Sequence, residues 1–232
     1  MSTDHGNRHA ILSRIKEALK EEAPLKHPAE RSAGGEPTTA HFREWLPPVG
    51  AGLDERFNLF EKLSESLRTE LIVCSDAKDA ALQISTLATA ENWKTLALHR
   101  GELIDALTGF LPDSLTLLPL QSGYDKDSLE ACDAGLTECE LLVAQTGSVC
   151  VTSRNSGGRV LSVLPPHHLV VARKGQLVTD LTEAYVSLAA KYRDNYPSMI
   201  SFITGPSRTG DIERILVLGA HGPKRLTVLL LP

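Results

Sequence analysis

The feature that most constrains the fold is the alternation, between residues 54 and 120, of amphipathic helical segments with short apolar runs. The predicted helices run from Asp54 to about Thr69, from Ser75 or Asp76 onward, and from Glu102 to Phe110; the apolar runs are Leu71 to Cys74, Thr95 to His99 and Ser114 to Leu120. Strands that are apolar on both faces and alternate with helices are typical of a parallel sheet covered on both sides. This half of the chain therefore predicts an α/β fold.

After about Ala134 the pattern changes. Apolar runs around the turn Thr146-Gly147-Ser148, then Gly158 to Leu164 and His167 to Arg173, leave little room for helices between them. Closely spaced strands of this kind predict antiparallel pairing added to the parallel half. A further helix is expected from Asp180 to about Arg193, with Asp180 and Glu183 as a capping box, and three more apolar runs follow it. The predicted class is α/β with a mixed sheet and helices on both faces.

Three segments divide the chain. Residues 1–22 predict an N-terminal amphipathic helix, with Ile11, Ile15, Ala18 and Leu19 on its apolar face. Residues 23–52 are rich in proline and glycine, which disfavours regular structure and predicts a tether. Residues 53–232 are expected to form the folded domain.

Composition excludes several classes of protein. The net charge of −5 leaves no basic excess for nucleic acid, and no apolar run approaches the length of a membrane span. The polar N-terminus has no apolar signal-peptide core, so a cytoplasmic location is expected. The four cysteines form no C-x-x-C pair, so we expect buried thiols and no zinc or iron–sulfur ligand set in this chain.

Glycine-rich turns that follow apolar runs are the candidate binding elements. Such turns can aim backbone N–H groups at an anion, and an arginine fork can hold a carboxylate or phosphate. The candidate ligand-binding residues are Gln145, Thr146, Gly147, Ser148, Arg159, Gly205, Pro206, Ser207, Arg208, Thr209 and His221. We expect the turns to converge on one crevice, with Arg208 or Arg159 supplying the charge. The alternatives are tight hairpin turns, a solvated loop around Arg159, a surface pair of Arg208 with Asp211, and a packed turn residue at His221.

The remaining residues and motifs argue against several kinds of site. His167 and His168 are adjacent, and neighbours on a strand point to opposite faces, so they form a poor metal pair. There is no G-x-G-x-x-G turn after the first strand, no phosphate-binding P-loop and no G-x-S-x-G elbow. A nicotinamide enzyme, a P-loop NTPase and an α/β-hydrolase are all disfavoured.

The later motifs together resemble the lactate utilisation protein C family, which shares the LUD domain. The resemblance lies in Asp133 to Val149, Gly158 to Val171 and above all Ile203 to Pro223. It covers the chain from about Glu70 to the end, and the first 50 residues only in outline. It implies a fold similar to the sugar-phosphate isomerase and coenzyme A transferase group. It also implies a three-protein system that converts L-lactate to pyruvate, in which the iron–sulfur clusters belong to cysteine-rich partner proteins.

One position departs from that family. Gln145 stands where the family more often has Glu, and related transferases use a glutamate to form a covalent thioester with coenzyme A. An amide cannot act as that nucleophile, which weakens a transferase interpretation and leaves binding open. Three hypotheses follow: a non-redox subunit that binds a small anionic ligand and docks on iron–sulfur partners, a free-standing isomerase or transferase, and a ligand-sensing or structural module.

Overall fold

The computed structural model describes residues 13–14, 16–17, 20, 46–120, 125–209, 217–218 and 222–232. The chain divides into two compact units, residues 1–44 and 45–232. In the first unit, residues 13–14 and 16–17 are helical. The apolar face expected for that helix, and the expected tether as far as residue 45, lie outside the described residues.

The second unit contains a parallel sheet of six strands in the order β1-β12-β7-β4-β2-β3. Its strands are β1 (Thr69–Val73), β2 (Thr95–His99), β3 (Thr116–Leu120), β4 (Ala134–Glu138), β7 (His167–Arg173) and β12 (Arg225–Leu231). The strands β1 to β3 and the α/β class are confirmed. β4, which lies near the middle of the sheet, was not predicted, and β7 is parallel to its neighbours where antiparallel pairing was expected.

A second sheet has the order β8-β5-β6-β9 and is mixed. It consists of β5 (Leu141–Val143), β6 (Ser148–Thr152), β8 (Leu177–Val178) and β9 (Ile200–Ile203). β6 is antiparallel to β5 and β9, whereas β8 is parallel to β5. The expected antiparallel hairpin around Thr146 and Gly147 is therefore confirmed, but it forms a separate sheet. The strand expected from Gly158 to Leu164 is wrong, since this segment consists of turns.

The helices complete four layers. They are α1 (Leu53–Leu67), α2 (Ala77–Glu91), α3 (Glu102–Thr108), α4 (Lys126–Glu130) and α5 (Leu181–Tyr192). α2 and α3 cover one face of the six-stranded sheet. α1 and the four-stranded sheet cover the β7–β12 part of the other face, and α5 covers the outer face of the small sheet. The small sheet is covered on both faces because alternate side chains of its strands are apolar. In β5, Leu142 packs toward the large sheet, and its neighbours Leu141 and Val143 pack toward α5.

Side-chain caps fix where two of these helices begin. The Asp76 carboxylate accepts the Asp79 amide at 2.8 Å, and Asp180 accepts the Glu183 amide at 2.8 Å. The Glu183 carboxylate accepts the Thr179 amide, so the predicted capping box closes one residue earlier than expected. These caps satisfy N–H groups that the first helical turn leaves without partners.

Candidate functional site

A cavity of about 170 Å³ lies between the inner face of β9 and the amino ends of β7 and β12. The described lining consists of Ser162, Val163, His168, Met199, Ser201, Ile203, Gly205, Pro206, Ser207, Gly222, Pro223 and Leu226. Alternation along β9 aims Met199, Ser201 and Ile203 at the cavity, whereas Ile200 and Phe202 pack toward α5. Most of the lining is apolar, with hydroxyls and one imidazole as its polar side chains.

His168 is the polar group buried most deeply in this lining. Its side chain is 0% exposed, and its Nε2 lies 2.9 Å from Thr137 Oγ1 on β4. Its Nδ1 has no hydrogen-bond partner among the described residues. Burial first, and His167 second, lower the pKa of His168 to about 3, so the ring is neutral at physiological pH. The cavity therefore presents a neutral imidazole with one free ring nitrogen.

His167 points to the opposite face of β7, as expected for adjacent residues on a strand. Its Nε2 lies 2.8 Å from Thr227 Oγ1, and its ring packs edge-on against Trp93 at 5.1 Å between centroids. Burial lowers the pKa of His167 to about 4. The two histidines therefore bond to different partners, His167 to Thr227 and His168 to Thr137.

The turn after β9 forms one wall of the cavity. Gly205 has φ +90°, and a Cβ there would lie 2.7 Å from the Leu67 backbone oxygen of α1. A side chain would be both strained and blocked at this position, which accounts for the glycine. The Ser207 amide donates to the Pro223 carbonyl at 2.9 Å, so the loops before β10 and β12 are joined. After this turn, Arg208 and Thr209 form the short strand β10 (Arg208–Thr209), which is paired with β11 (Val217–Leu218).

The hairpin turn at residues 145–148 does not line the cavity, but it contacts Thr204, which directly precedes the lining residue Gly205. Val149 and Val151 of β6 pack toward the large sheet, so Ser148 lies on the other face of the small sheet. The Ser148 hydroxyl donates to Thr146 Oγ1 at 2.8 Å and lies 2.7 Å from Thr204 Oγ1. These three hydroxyls satisfy one another and contribute nothing to the cavity lining.

Two other expected ligand residues bond to the protein itself. The Gln145 amide nitrogen donates to the Pro47 carbonyl at 3.0 Å. The exposed Arg159 donates to the Ser198 carbonyl at 3.1 Å, at the end of β9 opposite Gly205. Arg208 is exposed on β10 and directly follows the lining residue Ser207. His221 lies outside the described residues.

The structure therefore brings the turns at residues 145–148 and 204–207 into contact, whereas Arg159 bonds at the other end of β9. Of the predicted residues, Gly205, Pro206 and Ser207 line the cavity, and Arg208 adjoins it. The important residues that sequence reasoning missed are Thr137, Ser201 and the role of His168. The alternation of His167 and His168 indicated that one of them faces each side, but not that a cavity lies on one side.

The four cysteines are free and buried. Burial is the main cause that raises the pKa of Cys74 to about 11 and of Cys150 to about 12, and it also raises the pKa of Cys132 and Cys139. These thiols stay protonated, as expected for small buried apolar side chains. Across the described part of the chain, no group of three or more His, Cys, Asp or Glu is placed to hold a metal ion. Within the same residues, no helix has the length and apolar character needed to cross a membrane.

Several known proteins of similar sequence carry the name "Lactate utilization protein C". The protein of that name from Deinococcus radiodurans is 37% identical over 102 residues, which span 44% of this chain and 47% of that protein. The chain thus aligns with about half the length of the first relatives it matches. The protein from Exiguobacterium sp. is 27% identical over 97% of this chain and 95% of its own length, and that from Geobacillus kaustophilus is 26% identical over 94% and 93%.

A solved structure shares the fold. The crystal structure of a DUF162 family protein from Deinococcus radiodurans superposes with a TM-score of 0.62 at 22% identity, covering 79% of this chain and all of that one. The family model of the LUD domain matches residues 57–231, which include the whole six-stranded sheet and the cavity. The resemblance of the sequence motifs is thereby confirmed: this chain belongs to the LUD domain family.

Proposed function

We propose that this chain is the non-redox component of a system that oxidises L-lactate to pyruvate, that it docks on partner proteins carrying the iron–sulfur clusters, and that it binds a small anionic ligand. The observation that carries a role in lactate utilisation is the match of the LUD domain over residues 57–231, together with near full-length relatives named for lactate utilisation. The docking on iron–sulfur partners rests on the family resemblance. A cytoplasmic location belongs to the same proposal.

The chemistry of the thiols supports the non-redox part. Cluster ligands are thiolates that converge on one point, whereas the cysteines here are protonated, buried and outside any metal-binding group of the described residues. A cysteine-rich partner is therefore the better place for electron transfer. The purified chain should be colourless, and its iron and acid-labile sulfide should be far below one cluster per chain.

The structure disfavours the transferase alternative at one position. The Gln145 amide is engaged with the Pro47 carbonyl, and an amide is not a nucleophile for thioester formation. Turnover of sugar phosphates or coenzyme A esters by the isolated chain would restore that alternative.

The deciding experiment is genetic and biochemical together. Deletion of the gene in the native cell should abolish growth on L-lactate as sole carbon source and leave growth on glucose unchanged. The wild-type gene should restore growth, and so should single Cys→Ala variants at positions 74, 132, 139 and 150. A tagged chain should co-purify with cysteine-rich iron–sulfur proteins. Normal growth of the deletion strain on lactate would overturn the proposal.

A further inference from the structure

The cavity beside β9 has the size of a small metabolite. A volume of about 170 Å³ is close to the ~150 Å³ of cavities known to hold benzene, a molecule of about six non-hydrogen atoms. L-lactate and pyruvate also have about six non-hydrogen atoms. A larger ligand, such as a sugar phosphate or a coenzyme A ester, would have to extend out through the open side of the cavity.

The ring nitrogen of His168 that lacks a hydrogen-bond partner indicates that the cavity binds a ligand. A polar atom that is buried without a partner is costly, so such atoms are normally hydrogen-bonded. When Thr137 donates its hydroxyl proton to Nε2, the neutral ring carries its own proton on Nδ1, which has no acceptor among the described residues, and His168 lines the cavity. An oxygen atom of a ligand would satisfy that donor.

The two sides of the cavity differ in polarity. Met199, Ile203 and Leu226 form an apolar wall suited to a methyl group. At the rim, Ser207 and Pro223 are joined by a backbone hydrogen bond, and the exposed cations Arg208 and Lys224 follow them directly in the chain. Both side chains are long and exposed, and their positive charges can attract a carboxylate to the open side.

We propose that this cavity binds a short-chain 2-hydroxy or 2-oxo monocarboxylate. The oxygen on C2 accepts from His168 Nδ1, the alkyl group lies on the apolar wall, and the carboxylate lies at the rim near the Ser207 hydroxyl and the two cations. The size, the free imidazole and the cationic rim define the class of ligand, whereas the choice of lactate and pyruvate as its members rests on the proposed function.

The test is isothermal calorimetry with the full chain at neutral pH. The ligands are L-lactate, pyruvate, propionate, which lacks the oxygen on C2, and lactamide, which lacks the charge. Lactate or pyruvate should bind most tightly, with propionate and lactamide each weaker by about tenfold, since each loses one charged or buried hydrogen bond. Phosphate and a coenzyme A ester serve as negative ligands.

Two variants and a control place the site. His168→Gln should weaken binding by about tenfold or more, because the imidazole donor is lost. His167→Gln is the matched control, since this histidine is on the same strand and equally buried but faces away, and it should bind within about twofold of wild type. Val163→Trp adds bulk at the half-exposed rim without touching the buried histidine, and it should block binding even if His168→Gln fails to fold.

The outcomes separate this inference from the proposed function. It is overturned if wild type binds none of the carboxylates, if phosphate or a coenzyme A ester binds in their place, or if Val163→Trp binds as well as wild type. Normal growth of the gene's deletion strain on lactate overturns the proposed function, whatever the calorimetry shows. Loss of binding together with loss of growth in Val163→Trp, with His167→Gln normal in both, supports the two proposals together.

Discussion

The two edges of the six-stranded sheet are built differently. In open parallel sheets, ligands usually bind beyond the carboxyl ends of the strands. Here the carboxyl edge is occupied by the protein's own groups: the Glu138 carboxylate accepts the Leu103 and Ile104 amides at 2.7 and 3.3 Å, and Arg173 pairs with Glu102. The amino edge, by contrast, borders a cavity with a buried imidazole that lacks a partner. The usual place of a site in a fold class is thus a weaker guide than the unsatisfied groups of the particular molecule.

The largest expected difference between the two edges is the loss of stability in acid, which should come mainly from the buried histidines at the amino edge. Burial holds the pKa values of His167 and His168, at the amino edge, at about 4 and 3, against 6.5 in the unfolded chain. Both folded values are depressed, so the stabilisation is complete above about pH 6.5 and is lost as the pH falls toward 4 and 3. Each histidine contributes a slope of up to about 1.4 kcal/mol per pH unit, so the free energy of unfolding should fall by on the order of 4 kcal/mol between pH 6.5 and 4.5.

Urea unfolding at a series of pH values measures that slope. His168→Gln and His167→Gln should each remove about half of it. His99→Gln, at the carboxyl end of β2, should remove less, because Glu138 and Asp105 raise the pKa of His99 against the lowering by burial. A wild-type slope that stays flat from pH 6.5 to 4.5 would contradict the description of the amino edge.

The next largest effect concerns the cavity wall. Gly205→Ala should lower the free energy of unfolding by about 2–4 kcal/mol, because the new methyl group meets the Leu67 backbone oxygen at a strained φ. Gly158→Ala is the control, since Gly158 has φ +92° but an added methyl group there would have no neighbouring atom within 4 Å. It should lose only about 1–2 kcal/mol. Equal losses in the two variants would show that the close approach to α1 is unimportant.

A smaller effect is expected at the carboxyl edge. Glu138→Ala should cost about 1–2 kcal/mol, because the first turn of α3 loses its acceptor. Glu102→Ala removes a carboxylate from the same turn, but its pair with Arg173 is on the surface and worth roughly 0–1 kcal/mol. Thermal melting of both variants compares the half-buried Glu138 cap with the exposed ion pair of Glu102 and Arg173. Glu102→Ala should be the milder change.

The smallest effect should come from Gln145→Glu. This change introduces the glutamate that the family resemblance implies at this position but removes the donor to the Pro47 carbonyl, at a cost of about 1 kcal/mol. Gln145→Met removes the same hydrogen bond without adding charge, and it separates the two causes. If Gln145→Glu instead gained transferase activity toward coenzyme A esters, the binding-only interpretation of this turn would be wrong.

Sequence patterns predicted the features that depend on residues adjacent in the chain, such as strand bounds and helix caps. The bounds of β2 match the predicted Thr95 to His99, and Asp76 and Asp180 cap helices as their positions suggested. β4 was missed because its residues include Gly135, Thr137 and Glu138, which are not typical of a buried strand. Gly135 is needed there because a Cβ would meet the Leu161 backbone oxygen at 2.7 Å.

The cavity could not be predicted for a related reason. It depends on His168 lying beside Thr137 and opposite Ser201, residues that are far apart in the chain and are brought together only by the order of strands across two sheets. The turns at Gly147 and Gly205 do meet, through the 2.7 Å contact between the Ser148 and Thr204 hydroxyls, but strand direction places the contact of Arg159 with Ser198 at the other end of β9.

The last turn of α1 touches two loops that serve different faces of the small sheet. Methyl groups placed at Gly147 and Gly205 would each come within 3 Å of Leu67, the first at its side chain and the second at its backbone oxygen. Leu67 therefore lies against both the turn that carries the hydroxyl cluster around Ser148 and the turn that forms the wall of the cavity. A displacement of this one helical turn would therefore have to be accommodated at both places.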